Sequence, residues 1–365
     1  MRRSDLRCST PAKGHDMLRR ALRTTICAAA FAIAPLVTQA RAQNSPAAAG
    51  TVDTLGAIKA RGYLVCGISG DKPGFSFPDS KGVMQGLDVD LCRSVAAAIF
   101  GDPAKARFTS LTSLTRFPAL QSGEVDLVAR YTTWTLTREA SLGLEVAAVY
   151  FYDGQGFLVK KSIGAKSALD LNGASVCVEP GSTGEVNLVD YFRANKLELK
   201  PVVIEKLEQI RDALMSDRCD AYTNDSAQLG SFKATLGSAG DNYVVLPEII
   251  SKEPLGIFVR KGDQRFFDIV RWTHVALLTA EEFGITQSNI ETFRKSANPQ
   301  IQRFMGETNN LGAALGLDTQ WAVNAVKAVG NFAEIWNRNI VPLGIPRGIN
   351  RLVKDGGAQY APPMR

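Results

Sequence analysis

The sequence is poor in histidine, with two in 365 residues, and only His274 follows position 42. Acid–base and nucleophilic catalysis rely heavily on this side chain, so triads built on histidine are nearly excluded. No Cys-x-x-Cys pair occurs either, and zinc is held mainly by cysteine and histidine. We therefore expect no resident metal, no cofactor and no enzyme of the histidine-dependent classes.

Signatures of nucleotide and nucleic-acid binding are also missing. The chain has no Gly-x-x-x-x-Gly-Lys-[Ser/Thr] loop, and the GQG run at 154–156 is a poor dinucleotide signal. The formal net charge is +6, but eight basic and two acidic side chains lie in residues 1–42, which leaves the remainder neutral. We expect no nucleic-acid partner.

Residues 1–42 have the pattern of a secretory signal peptide. Residues 17–20 (MLRR) are basic, residues 26–37 are apolar, and residues 40–42 (ARA) form a small-x-small cleavage site. A membrane anchor, the alternative, needs about 20 uninterrupted apolar residues. The pattern predicts a periplasmic mature protein that begins with a disordered tail at 43–50.

Four cysteines follow the predicted cleavage site, and an oxidising compartment favours disulfides among them. Three pairings are possible, and four reduced, buried cysteines are the alternative. Pairing Cys66 with Cys92 and Cys177 with Cys219 would close two local loops, each contributing about 3 kcal/mol in the loop-entropy model.

Strand, loop and helix patterns alternate along the mature chain. Residues 61–68 are typical of a buried strand, a Gly/Pro-rich loop follows at 69–77, and apolar residues recur every four positions over 87–99, as on one face of a helix. This alternation predicts the α/β class, with mostly parallel sheets flanked by helices.

One distant similarity suggests two lobes that face one cleft. Residues 119–127 and 213–221 share Ala, Leu, Ser and Asp at a constant offset, and a polar cluster follows each segment, at 130–133 and at 223–226. Ligands bind at such strand ends in open α/β sheets. Chance similarity is the alternative, because helix-to-strand connections often use small and polar residues.

Two glycine-containing passages, at 152–156 and 251–256, predict crossings between the lobes. The first lobe is then residues 51–154, the second is 155–253, and residues 254–365 complete the first lobe and add a C-terminal helical extension. A disulfide between lobes would oppose hinge closure, which favours the two local cysteine pairs.

Several polar residues near strand and helix ends suit a zwitterion. Arg138 offers a guanidinium fork to a carboxylate, and Thr133 can add a hydroxyl. Residues 180–183 open a helix with further N–H donors, and Asp225 ends a strand where it can accept an ammonium group. A surface Arg–Asp pair or a helix cap is the alternative interpretation of each signal.

The sequence resembles the periplasmic amino-acid-binding proteins of ABC importers over nearly the whole mature chain. It is most similar to the general L-amino-acid-binding subgroup, in residues 130–138, 245–256 and 359–365 and in its four cysteines. The motifs that carry the family resemblance are residues 86–91 (GLDVDL), 123–127 (GEVDL), Thr133 with Arg138, 180–183 (PGST) and 220–225 (DAYTND).

This resemblance implies a two-lobed type II periplasmic-binding fold with the ligand enclosed at the hinge. It places Arg138 on the α-carboxylate and Asp225 on the α-ammonium group, with Thr133 and Thr183 assisting. The predicted ligand-binding set is Ser69, Arg130, Tyr131, Thr133, Arg138, Ser182, Thr183 and Asp225.

The side-chain pocket departs from relatives specific for one amino acid. Ser69 and Ser113 stand where many of them carry an acidic or aromatic residue, and Arg130 replaces a small one. Smaller polar walls leave room for different side chains, and Arg130 favours acidic or amide ones. We expect broad specificity for L-amino acids, with a preference for Glu, Asp, Gln and Asn.

The implied function is capture of free L-amino acids and delivery to an inner-membrane ABC permease by a monomer. The alternative from another class is an exported hydro-lyase on the same fold, similar to a cyclohexadienyl dehydratase. A periplasmic adaptor for a chemoreceptor shares the binding chemistry entirely, so sequence does not separate it from a transport protein.

Overall fold

Two five-stranded sheets with helices on their faces form the main body of residues 52–365, the part of the chain that the computed structural model describes. The α/β class is confirmed. The predicted signal peptide (1–42) and tail (43–50) lie outside the described residues. The strands are β1 (Leu64–Ile68), β2 (Phe77–Pro78), β3 (Met84–Gln85), β4 (Ala106–Ser110), β5 (Leu127–Val128), β6 (Leu144–Asp153), β7 (Gln155–Lys160), β8 (Ser175–Val178), β9 (Lys200–Val203), β10 (Ala221–Asp225), β11 (Tyr243–Val245) and β12 (Glu253–Arg260).

Several helices begin directly after a residue whose side chain caps them. Asp53, Thr135, Ser182 and Asp263 each accept a hydrogen bond from a first-turn N–H, as N-cap side chains do. The helices are α1 (Thr54–Arg61), α2 (Leu87–Phe100), α3 (Arg116–Ser122), α4 (Leu136–Ala140), α5 (Thr183–Ala194), α6 (Leu207–Met215), α7 (Ser226–Thr235), α8 (Gln264–Glu282), α9 (Pro299–Phe304), α10 (Leu311–Leu315), α11 (Trp321–Val329) and α12 (Phe332–Asn339). Among the described residues, none of these helices combines the length and apolar character that a membrane crossing requires.

Both sheets are mixed, whereas the sequence predicted mostly parallel ones. The first sheet has the order β4-β1-β5-β12-β6, and only the pairs of β1 with β4 and with β5 are parallel. β12 runs antiparallel to both β5 and β6. The antiparallel pairings arise because β6 carries the chain out of the first sheet and β12 carries it back.

The second sheet is built entirely from chain that lies between β6 and β12. Its order is β11-β7-β10-β8-β9, with β8, β9 and β10 parallel and β7 antiparallel to its neighbours. The outgoing and returning segments lie side by side, since Glu253 pairs with Asp153 and the Ile250 N–H donates to the Gln155 carbonyl at 2.8 Å. The lobe boundaries at 154 and 253 stay a prediction.

The C-terminal helices pack on the first sheet. Trp321, Phe332 and Trp336 are buried in one apolar core with α2 and β1, and the Trp336 ring stacks on Phe151 with centroids 5.0 Å apart. The amphipathic spacing of this segment therefore serves internal packing.

Each sheet carries its own disulfide. Cys66 of β1 is bonded to Cys92 of α2, and Cys177 of β8 is bonded to Cys219, just before β10. These are the two local pairs that the sequence favours. Neither bond joins chain of the first sheet to chain of the second.

The stability of the fold is expected to fall in mild acid because of His274. This residue is 4% exposed inside α8, and burial lowers its pKa from 6.5 to about 4. Between those pH values the unfolded chain binds a proton that the folded chain does not. The free energy of unfolding is therefore highest above pH 6.5 and drops by up to about 3 kcal/mol as the pH falls through this window.

Urea unfolding of the wild type and His274→Leu at several pH values from 7 to 4.5 measures this contribution, and the variant is expected to show a shallower slope. An identical slope in both proteins would remove His274 from the explanation.

Candidate functional site

A cleft with about 380 Å³ of empty space is lined by residues from both sheets. It lies at strand ends: Arg130 follows β5, Glu179 follows β8, and Asp225 ends β10. Since β1, β4 and β5 are parallel, and β8 and β10 are parallel, these strands of each sheet have their carboxyl ends at one edge, where ligands of α/β folds bind. The first sheet's side supplies Lys72, Ser113, Arg116, Arg130, Thr133 and Arg138, and the second supplies Glu179, Thr183, Asn224 and Asp225.

Arg138 presents a desolvated cation to the cleft from the first sheet's side. It lies in α4, its Nη1 donates to the Thr133 carbonyl at 2.7 Å, and its Cζ is 5.3 Å from the centre of the Phe117 ring. Burial lowers the pKa of Arg138 to about 10, against the opposing effects of the Glu253 and Asp225 carboxylates. The guanidinium is therefore still charged at neutral pH. Among residues 52–365 its only hydrogen-bond acceptor is the Thr133 carbonyl, so its other N–H groups are available to a ligand.

Asp225 presents a buried carboxylate to the same cleft from the second sheet's side. It is 6% exposed, and its side chain accepts no hydrogen bond from any of residues 52–365, not even from α7, which begins directly after it. Burial raises the pKa of Asp225 well above its ordinary 3.8, and the nearby Glu253 and Asp153 carboxylates raise it further. A bound cation would relieve this unfavourable position.

Thr133 and Thr183 lie on opposite sides of the cleft and both hydrogen bond to the carboxylate of Glu253. Both hydroxyls donate to Glu253 Oε2, the Thr183 bond measuring 2.8 Å, and the two Oγ1 atoms are 3.3 Å apart. Glu253 Oε1 accepts from Asn187 at 2.8 Å and from Ser251 at 2.6 Å. Glu253 therefore ties the two threonines, one from each side, into one hydrogen-bonded group.

Glu179 forms ion pairs with two cations at another part of the cleft. It is 5% exposed, its Oε1 lies 3.0 Å from Lys72 Nζ, and its Oε2 lies 4.0 Å from Arg130 Nη2. Burial alone would raise the pKa of Glu179, but Lys72 and Arg130 outweigh it and hold the pKa at about 2. Glu179 is therefore ionised at neutral pH.

Arg116 is a third arginine of the cleft and is 2% exposed. Its Nη1 donates to Thr132 Oγ1 and its Nη2 to the Gly181 carbonyl, both at 3.3 Å. Its Nε is buried and has no partner among residues 52–365. Burial lowers the pKa of Arg116 well below its ordinary value, and the neighbouring Arg138 and Arg130 lower it further.

The other predicted ligand-binding residues occupy varied positions. Tyr131 lines the cleft, has a positive φ of 45°, and donates from its hydroxyl to Asp153 at 2.8 Å. Ser182 also lines the cleft, as the N-cap of α5. Ser69 is buried beside Ser76, with 2.7 Å between their hydroxyl oxygens, and does not line the cleft, whereas Ser113 does.

Sequence reasoning missed four charged members of this site: Lys72, Arg116, Glu179 and Glu253. Three had a usable signal: Lys72 is in the glycine/proline-rich loop at 69–77, Glu179 directly precedes the PGST motif, and Glu253 is inside the second crossing passage. Arg116 had none.

The arrangement suits a small molecule that carries both charges. A cation and a carboxylate, each desolvated, line one cleft, and the hydroxyls of Thr133 and Thr183 beside them donate to Glu253. Within residues 52–365, no group of three or more His, Cys, Asp and Glu side chains is placed to hold a metal ion.

Comparisons with known proteins agree with this geometry. The model of a family described as bacterial extracellular solute-binding proteins, family 3, matches residues 64–305. A general L-amino acid-binding periplasmic protein of Rhizobium johnstonii is 50% identical over 324 residues, covering 87% of this chain and 95% of that protein. A glutamate/glutamine/aspartate/asparagine-binding protein of Rhodobacter capsulatus is 47% identical, covering 87% of this chain and 95% of that one.

A solved structure is equally similar. An ABC transporter/periplasmic binding protein of Brucella ovis with glutathione bound shares 52% identity and superposes with a TM-score of 0.84, covering 86% of this chain and all of that chain. These three proteins are named for binding, and none of them is named as a hydro-lyase.

Proposed function

Because the chain belongs to family 3 of the bacterial extracellular solute-binding proteins, we propose that it captures a free L-amino acid in this cleft and delivers it to an ABC permease. The family match and the similar proteins confirm the resemblance that the sequence suggested. The observation that carries the proposal is the opposition of Arg138 and Asp225 in one cleft. The Arg138 guanidinium is buried and donates to the Thr133 carbonyl, and the Asp225 carboxylate accepts no hydrogen bond from residues 52–365.

The α-amino and α-carboxylate groups would use the features that both sides of the cleft offer. Arg138 receives the α-carboxylate with the N–H groups that the Thr133 carbonyl leaves unused. Asp225 receives the α-ammonium group, which supplies the hydrogen bonds and the positive charge that this carboxylate lacks. Contacts from both sides favour the closed form once the ligand is bound, and this form is what the permease would recognise.

The charge of the cleft supports a preference among side chains. Among the residues that line the cleft, four are cations (Lys72, Arg116, Arg130 and Arg138) and two are carboxylates (Glu179 and Asp225). This excess of positive charge favours acidic ligands, and the polar wall at Ser113 and Asn224 suits amides.

The relatives support a periplasmic location, and we place this chain in the periplasm as a monomer. Its two sheets would move as two lobes about the paired segments near Asp153 and Glu253, with no disulfide between them to oppose that movement.

Calorimetric titration of the unfolded, ligand-stripped and refolded protein with each common L-amino acid tests this function. We expect micromolar or tighter dissociation constants for several, with Glu, Asp, Gln and Asn among the tightest, and much weaker binding of the D-enantiomers, because three contact points fix the chirality. A protein shown to be folded by circular dichroism that binds no amino acid would contradict the proposal. Binding of one amino acid alone would contradict the breadth.

A further inference from the structure

Glu179 is a carboxylate of the cleft wall that accepts four side-chain hydrogen bonds, and its partners come from both sides of the cleft. It stands directly after β8 of the second sheet. Oε1 accepts from Lys72 Nζ at 3.0 Å, Asn224 Nδ2 at 2.9 Å and the Tyr222 hydroxyl at 3.1 Å, and Oε2 accepts from the Ser113 hydroxyl at 3.3 Å and lies 4.0 Å from Arg130 Nη2.

Lys72, Arg130 and Glu179 form a group that we call the charge cluster. All three are nearly inaccessible to solvent, at 2%, 3% and 5% exposure, and all three line the cleft. Their charges sum to one positive unit. Because they are desolvated, a change of one unit here is screened far less than it would be on the surface.

The charge cluster makes no hydrogen bond to the groups that would hold the α-amino and α-carboxylate ends of the ligand, although the charges of Lys72 and Glu179 act on Asp225. Arg138 is tied to Thr133, and neither it nor Asp225 makes a hydrogen bond to the cluster. Arg130 is instead oriented by the Leu111 carbonyl at 2.8 Å and the Ser113 hydroxyl at 3.0 Å. The ligand's side chain, which is where amino acids differ, is therefore what the cluster would face.

We propose that Glu179 sets the balance between acidic and amide side chains by neutralising one of the two cations beside it. The inference rests on the proposed function. With Glu179 ionised, an acidic side chain meets one net positive charge, and an amide can accept from Arg130 and donate to Glu179. Without that carboxylate, Lys72 and Arg130 would both lack their anionic partner. An amide side chain would leave both desolvated cations uncompensated, whereas an acidic side chain would neutralise one of them.

Glu179→Gln tests the inference because it keeps the shape and removes the charge. We expect the ratio of the glutamine to the glutamate dissociation constant to rise about tenfold, and the asparagine to aspartate ratio to rise with it. Glu198→Gln is the matched control, since Glu198 is an exposed residue of the same type on the second-sheet side, at the end of the sheet away from the cleft. The control should leave both ratios unchanged.

A second variant keeps the test decisive if Glu179→Gln folds poorly. Lys72→Met lowers the cluster to zero net charge and should move the same ratios in the opposite direction. The double variant Glu179→Gln, Lys72→Met returns the cluster to one positive charge and should restore ratios near the wild-type ones, even if every affinity is weaker.

The possible results are distinct. Ratios unchanged within twofold in both single variants would overturn the role of Glu179 while amino-acid binding itself stands. A wild type that binds none of the four ligands would overturn the proposed function instead.

Discussion

Arg138→Ala is expected to weaken the binding of every amino-acid ligand by about a hundredfold or more. The α-carboxylate is common to all ligands, so the loss should be uniform across them and should not change their ranking. Removing one partner of a desolvated, hydrogen-bonded charge pair costs about 2–5 kcal/mol, and about 3 kcal/mol corresponds to this factor. Calorimetric titration with at least four amino acids measures it.

Two further variants show whether the guanidinium itself is responsible. Arg138→Lys keeps the charge but loses the planar fork, and should fall between the wild type and the alanine variant. Arg193→Ala removes an arginine whose side chain is 74% exposed on α5, and should bind like the wild type. A folded Arg138→Ala protein with wild-type affinity would refute the assignment of the carboxylate site.

Asp225→Asn is expected to have the second-largest effect, again on all ligands together. The amide keeps the size of the side chain and cannot neutralise an ammonium group, so we expect an affinity loss of about thirtyfold to a hundredfold. Asp190→Asn, at a carboxylate 65% exposed on α5, is the matched control. Equal losses in both variants would mean that total charge, and not this site, is responsible.

The same variant should not lose stability. In the folded protein, burial and the Glu253 and Asp153 carboxylates raise the pKa of Asp225, and Glu179 adds to this while Lys72 opposes it. A raised pKa means that ionised Asp225 disfavours folding at neutral pH. Asp225→Asn should therefore show an equal or higher Tm at pH 7, and a marked drop in Tm would contradict this account of the site.

The raised pKa also gives wild-type binding a pH dependence with a definite sign. The ligand needs the ionised carboxylate, so binding releases a proton wherever unliganded Asp225 is protonated. Affinity should fall as the pH is lowered through that raised pKa, and the fall should be absent from Asp225→Asn. Titrations in two buffers with different ionisation enthalpies count the released protons.

The sequence predicted those cleft residues that stand in recognisable local patterns, and their roles stay a prediction. Arg138, Thr183 and Asp225 lie where a loop or strand meets a helix, and helix caps and strand ends leave a recognisable pattern within a few positions. The same holds for β1 and α2, whose apolar periods are local.

The missed members of the site depend on distant contacts. Lys72 meets Glu179 across 107 positions of sequence, and Thr133 meets Glu253 across 120. A local pattern of apolar and polar residues does not show which buried charges will lie beside one another when residues of two different sheets come into contact. The mixed sheets were missed for a related reason, because the antiparallel pairing of β6 with β12 joins chain on either side of a long insertion.

That insertion divides the candidate binding site between two parts of the chain. Residues 155–250 leave and re-enter at neighbouring points, where the Ile250 N–H meets the Gln155 carbonyl at 2.8 Å, and they carry their own disulfide. Glu179, Thr183 and Asp225 belong to this segment, while Arg130 and Arg138 stay behind. Exchange of this segment for that of a relative would thus replace the second-sheet side of the candidate site and leave the first-sheet side unchanged.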